Sequence, residues 1–224
     1  MRRFLRENSL SLFFLVLLVA AVLGQSFAGQ HDYNAEQAEH GAQAIAWDRY
    51  VVSSDFWGAV MENWQSEFLQ FSLYIAATIW LLQKGSSESK PLADAGLQSD
   101  EKQKVGRHAP ENAPRWAKLG DWRTTIYSNS LLLVMTTIFF LTWGAQSITS
   151  WNTFNDDQRL HGEAAVRWKT YLLNPDFWER SLENWQSELL AVGTMVVFSM
   201  YLRQRGSPES KPVGAPHSQT GSSV

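Results

Sequence analysis

Apolar residues gather into four blocks along the chain, at about residues 10–27, 68–82, 131–148 and 189–202, with very polar stretches between them. A helix needs about 20 mostly apolar residues to cross a hydrocarbon core ~30 Å thick. The first and third blocks nearly suffice alone. The second and fourth are shorter, and each continues a longer helix through Trp64 or Trp185. The pattern therefore predicts four membrane helices, at about residues 9–28, 63–83, 130–149 and 184–204. Ala38, Ala42, Ile45, Ala46 and Tyr50 recur at helical spacing and predict a short additional helix within 35–52. The helices of the second and fourth blocks should start at Ser53 and Asn174. Asn174-Pro175-Asp176 supplies an N-cap, a proline in the first turn and an acid beside it. Gly85 and Gly206 are the expected C-caps, about 30 residues later.

The polar and apolar pattern repeats. Residues 2–91 align without a gap on 123–212, at a constant offset of 121, and about a third of the positions are identical. Asn8-Ser9-Leu10 recurs as Asn129-Ser130-Leu131, Gln25-Ser26 as Gln146-Ser147, and His40-Gly41 as His161-Gly162. Asp55-Phe56-Trp57 recurs as Asp176-Phe177-Trp178. Glu62-Asn63-Trp64-Gln65-Ser66-Glu67 returns intact 121 residues on, and Gly85-Ser86-Ser87-Glu88-Ser89-Lys90-Pro91 returns with one change, Pro208 for Ser87. Arg2, Arg3 and Arg6 before an apolar run ending in Ser26-Phe27-Ala28 also fit a cleavable secretory signal. The internal copy of that block decides for a retained helix, because a segment in mid-chain cannot be a signal peptide.

Charge gives the orientation. Arg2, Arg3 and Arg6 lie before the first block, eight Lys or Arg lie between Lys84 and Arg123, and Arg203, Arg205 and Lys211 follow the last block. The segment joining blocks one and two has Arg49 alone; its counterpart has Arg159, Arg167, Lys169 and Arg180. The positive-inside bias places both termini in the cytoplasm and both shorter loops outside. Eleven tryptophans, most of them near block ends, suit the headgroup level. The mean hydropathy of −0.24 alone would suggest a soluble protein. It averages the blocks with their polar surroundings. Net charge is −3, which offers no basic field for nucleic acid, and the absence of cysteine removes disulfides and thiolate chemistry.

The fold class expected is all-α: a four-transmembrane-helix bundle from two tandem hairpins in parallel orientation, each with a short extracytoplasmic helix. Residues 1–91 form the first hairpin repeat and 123–212 the second. Residues 92–122 are a cytoplasmic linker with an interfacial anchor around Trp116 and Trp122, and 213–224 a disordered tail. The Ser-, Pro- and Gly-rich stretches 86–114 and 206–224 read as disordered.

With the paired Glu-Asn-Trp-Gln-Ser-Glu segments, the His-Gly pairs and the Gly-Ser-x-Glu-Ser-Lys-Pro exits in view, the chain resembles a family of uncharacterised bacterial multi-pass membrane proteins. The resemblance covers nearly the whole chain. It implies a bacterial inner membrane and supplies no activity and no catalytic residues.

The candidate chemistry lies on two levels. Asn63, Ser66, Glu67, Gln70, Tyr74 and Thr78 share one helical stripe, expected to face the bundle interior, because lipid-facing polar groups are costly. Asn184 and Glu188 occupy the same places in the second copy. Counting ~1.5 Å per residue puts Glu67 and Gln25 at the same depth, ~24 Å from the inner boundary. Gln25 is thus the expected partner of Glu67, and Gln146 that of Glu188. The preferred account is a buried structural network of Gln25, Asn63, Glu67, Gln146, Asn184 and Glu188; the alternative is a proton- or cation-binding pair of Glu67 and Glu188 in a small ion-coupled transporter. On the outer side Asn34, Gln37 and His40 recur as Asn155, Gln158 and His161, spaced by three along one helix face. They are expected to form a polar cap joined to Glu62 or Glu67. A metal-dependent enzyme built on the two histidines ranks third, because Asn and Gln are poor zinc ligands. No catalytic residue, metal or cofactor is assigned. The partner expected is the lipid bilayer, with a second copy or another membrane protein as a further candidate.

Overall fold

The computed structural model describes residues 1–221; the last three residues of the expected tail, 222–224, lie outside it. The described residues form helices and turns, without a strand. In chain order the helices are α1 (Arg2–Glu7), α2 (Ser9–Glu39), α3 (Trp47–Tyr50), α4 (Ser54–Trp80), α5 (Arg115–Lys118), α6 (Trp122–Ser128), α7 (Ser130–Leu160), α8 (Trp168–Tyr171) and α9 (Pro175–Tyr201). Two 3-10 turns, Leu92–Asp94 and Gly106–His108, interrupt the linker.

Asn8 and Asn129 explain where the two longest helices begin. Each breaks the helix, with φ of −117° and −112°, and each side-chain amide donates to a carbonyl four residues back, Phe4 at 2.9 Å and Thr125 at 2.8 Å. Such side chains offer the backbone an alternative to the helical ladder. Beyond these breaks α2 and α7 run for 31 residues each, well past the limits of 28 and 149 read from the sequence. The separate helix expected over 35–52 is accordingly not there. Residues 35–39 continue α2, an extended strap follows, and only the single turn α3 remains.

The two helices α2 and α7 are long and apolar enough to cross a membrane. Only 6 % of the most apolar stretch of α2 is buried, and 22 % of that of α7.

The chain divides into two compact units, Met1–Met61 with Ala145–Phe177, and Glu62–Gly144 with the described residues from Trp178 onward. In the first unit Tyr50, Phe56 and Val60 form a small core, with Val22, Tyr33 and Ile45 against it. Gly29 meets the Tyr50 ring so closely that a Cβ there would collide with the hydroxyl. In the second unit Phe139, Trp143, Trp178 and Trp185 make an aromatic cluster with ring centroids 5.5–6.4 Å apart.

The caps follow the sequence at one end and depart from it at the other. Asn174 Oδ1 accepts from the Asp176 N–H at 3.0 Å, and Ser53 Oγ from the Phe56 N–H at 3.2 Å. Gly85 and Gly206, expected as C-caps, lie beyond the actual ends at Trp80 and Tyr201, in turns with φ of +89° and +86° that favour glycine.

Candidate functional site

The exit turns carry the densest polar chemistry, and the repeated motif builds them. Ser89 Oγ accepts from the Gln83 N–H and Ser210 Oγ from the Gln204 N–H, both at 2.9 Å. Ser86 Oγ accepts from the Glu88 N–H at 3.1 Å and Ser207 Oγ from the Glu209 N–H at 3.2 Å. These serines capture N–H groups that have left the helical ladder, so chain that read as a flexible exit is a hydrogen-bonded turn. The motif lysines fill the turns. Lys90 Nζ donates to the Ile79 and Gly96 carbonyls, each at 2.9 Å. Lys211 is wholly buried; its Nζ bonds the Gly85 carbonyl and lies 2.9–3.3 Å from those of Gln219, His217 and Pro216. Burial pushes the Lys211 ammonium pKa down, and Arg203 adds to the effect. Arg203 in turn donates to the Ser199, Met200 and Leu202 carbonyls at the end of α9, where cations suit the helix dipole. The Ser86 and Ser199 hydroxyls meet at 2.8 Å, and Ser87 Oγ donates to the Glu209 carbonyl at 3.2 Å.

The Glu-Asn-Trp-Gln-Ser-Glu segment is used differently from the expectation. Asn63 and Glu67 are exposed, while Gln65 and Ser66 are buried, at 0 % and 1 % exposure. Two helical residues span ~200°, so Gln65 lies nearly opposite Glu67. Of the stripe read from the sequence, Ser66 is buried and Gln70, Tyr74 and Thr78 are half-buried, while Asn63 and Glu67 at its outer end are exposed. Gln65 Oε1 accepts from the Trp185 indole N–H at 2.7 Å, and its amide donates to the Glu62 carbonyl. Gln70 donates to the Glu188 carbonyl at 3.2 Å, and Asn184 to that of Arg180 at 2.8 Å. The pairings through Gln25 and Gln146 do not form. The Gln25 side chain is half-buried without a hydrogen bond to the described residues, and Gln146 is fully buried with both side-chain polar atoms unpartnered.

The expected polar cap is brought together in part, and its bonds go elsewhere. Asn34 clips the strap back onto α2: its Oδ1 accepts from the Ile45 N–H at 2.8 Å and its amide donates to the Ile45 carbonyl at 3.0 Å. Asn155 does the same with Val166, at 2.8 and 3.1 Å. These bonds join strap to helix, not to Glu62 or Glu67. His40 and His161 lie edge to face with ring centroids 5.6 Å apart, and His161 Nδ1 is 3.0 Å from the Asp157 carbonyl oxygen. Gln37 lines a cavity of about 120 Å³ with Glu36, Asp55 and Asp156, and Gln158 is half-buried. Among the described residues, no three His, Asp or Glu are grouped to hold a metal ion. The indole N–H of Trp47 donates to Ser26 Oγ at 3.1 Å, and that of Trp168 to Ser147 Oγ at 3.2 Å. The Tyr50 and Tyr171 hydroxyls donate to Asp55 and Asp176. Burial, and then the Asp55 charge, raise the Tyr50 phenol pKa above its usual value near 10.

Comparison with known proteins matches residues 1–222 to a family model described as a domain of unknown function (DUF6766). The chain belongs to this family. No curated protein and no solved structure matches it.

Within this DUF6766 chain the residues missed from sequence are the motif serines and lysines and Glu88, the partner of Tyr74, whose carboxylate lies 2.6 Å from the Tyr74 hydroxyl. The signal was present, since Gly-Ser-x-Glu-Ser-Lys-Pro occurs twice. Its composition is that of a loop, and composition cannot reveal which carbonyls a lysine will meet.

Proposed function

We propose that the chain is a multi-pass integral membrane protein, built by tandem duplication of a helical hairpin, with a non-catalytic structural or binding role. The observation that carries this reading is α7. It lies in mid-chain, so it is no leader, and only 22 % of its apolar stretch is buried, with Leu131, Leu133, Val134, Phe140 and Leu141 exposed. Lipid is the solvent that suits such a surface. In this reading α2 and α7 face lipid. The less apolar α4 and α9 complete four spans, and their polar side chains bond to one another. The matched bonds of Asn34 and Asn155, of Trp47 and Trp168, and of Ser89 and Ser210 support the duplication. Loop charge supports cytoplasmic termini, and the bacterial inner membrane follows from the resemblance. The alkaline-wash test is direct. Full-length chain expressed in a bacterium should stay in the membrane pellet after carbonate extraction at high pH and dissolve only in detergent. Release by the wash would contradict the proposal.

A further inference from the structure

The second unit holds a cleft between α4 and α9 that none of the roles above uses. Its cavity measures about 380 Å³, inside the range of roughly 300–1,000 Å³ typical of small-molecule sites. Leu73, Ala77, Leu189 and Val192 furnish an apolar wall, and Tyr74 and Glu88 bring polar groups to the same space. An adjoining cavity of about 200 Å³ shares Tyr74 and Glu88 and adds Glu209. Tyr74 donates to Glu88 Oε2 at 2.6 Å and Ser87 to Oε1 at 3.3 Å. A carboxylate has about four acceptor directions, so capacity remains. Among the described residues no Lys, Arg or His forms an ion pair with Glu88 or Glu209. Lys90, two positions from Glu88, is committed to the Ile79 and Gly96 carbonyls.

Apolar walls exclude water and strengthen any charge interaction at their edge. Two carboxylates without a counter-charge disfavour an anionic head, and a neutral ligand would leave them unmatched. Tyr74 adds an aromatic group of the kind that receives organic cations. We propose that this cleft binds an amphiphilic organic cation, with its apolar body between α4 and α9 and its charged head on Glu88. The inference rests on the membrane reading above, because such a ligand reaches the cleft through the bilayer.

The test uses full-length protein in a neutral maltoside detergent, with tetraphenylphosphonium as the probe in equilibrium dialysis. Saturable binding of one probe per chain is expected. Glu88→Gln should weaken it at least tenfold, because the amide still accepts from Tyr74 but carries no charge. Val192→Trp should weaken it by filling the cleft, and Glu7→Gln, whose carboxylate pairs with Arg3, should leave it unchanged. Thermal unfolding in the same detergent shows whether each variant is folded. Should Glu88→Gln fail to fold, a comparison on the native chain replaces it: the probe must bind at least tenfold more tightly than the neutral triphenylphosphine oxide. Equal binding of the two ligands, or folded Glu88→Gln binding within twofold of native, overturns the proposal. A chain that pellets with membranes and binds nothing overturns the cleft alone. A chain soluble without detergent overturns the membrane reading itself.

Discussion

Lys211 keeps its ammonium fully buried by surrounding it with backbone carbonyls. Removing the charge would leave those carbonyls short of a donor, and hydrogen bonds to charged groups contribute roughly 1.5–3 kcal/mol each. Lys211→Met should therefore lower stability by about 2–3 kcal/mol in thermal unfolding, whereas Lys118→Met, on the exposed linker, should change it by under ~0.5 kcal/mol. Gln146 presents the opposite case. Its amide is buried with neither polar atom bonded, and an unsatisfied buried polar group costs about 1–3 kcal/mol. Gln146→Leu should be neutral or stabilising in the same assay; a loss above ~1 kcal/mol would show that the amide has a partner. Tyr50 supplies a pH test. Its phenol pKa is raised in the folded chain by burial and by Asp55. The stability it adds is complete below the unfolded value near 10 and is lost as pH rises through the higher folded value. Between pH 9 and 11 the native chain should thus lose more stability than Tyr50→Phe, and identical alkaline profiles would contradict the assignment.

At the scale of elements, the long helices were legible and their ends were not. Apolar runs located α2, α4, α7 and α9 because burial in a protein or lipid environment demands such runs. Asn8-Ser9 and Asn129-Ser130 were seen only as matched repeat positions and turn out to be helix breaks, whereas Asn174-Pro175 was read as a cap and is one. The extension of α2 through residues 29–39 was legible only in part: Asn34, Gln37 and His40 were placed on one helix face, but 35–52 was read as a separate helix, whereas Asn34 and Tyr33 hold residues 29–39 in α2 against the strap and core. Helical spacing over 35–52 misled for the same reason: the apolar residues there follow the strap. The covered face of α4 was legible in part: Ser66, Gln70, Tyr74 and Thr78 are buried or half-buried, and Asn63 and Glu67 are exposed. Glu67 attracted attention by its charge, while Gln65 and Ser66 are the buried members. Charge says which group is costly to bury, but only packing says which face is covered. A direct consequence concerns the strap. Asn34→Ala removes both bonds to Ile45 and should cost about 1–2 kcal/mol, with faster limited proteolysis at residues 41–46. Unchanged cleavage there would mean that Gln30, which also donates to the Ile45 carbonyl at 2.9 Å, and the apolar side chains suffice to hold the strap.

At the scale of the molecule, the account depends on α2 and α7 facing lipid and on two hairpins inserting the same way up. The family match adds membership and no activity, so the physical arrangement has to be tested as such. The native chain contains no cysteine, and single cysteines can therefore report topology without background. The decisive measurement is labelling of Ala44→Cys, Thr170→Cys, Val105→Cys and His217→Cys in intact bacteria with a membrane-impermeant maleimide, with the inner membrane then permeabilised. The account predicts that Ala44→Cys and Thr170→Cys label in intact cells, and that Val105→Cys and His217→Cys label only after permeabilisation. Labelling of Val105→Cys from outside, or of all four only from inside, would contradict it.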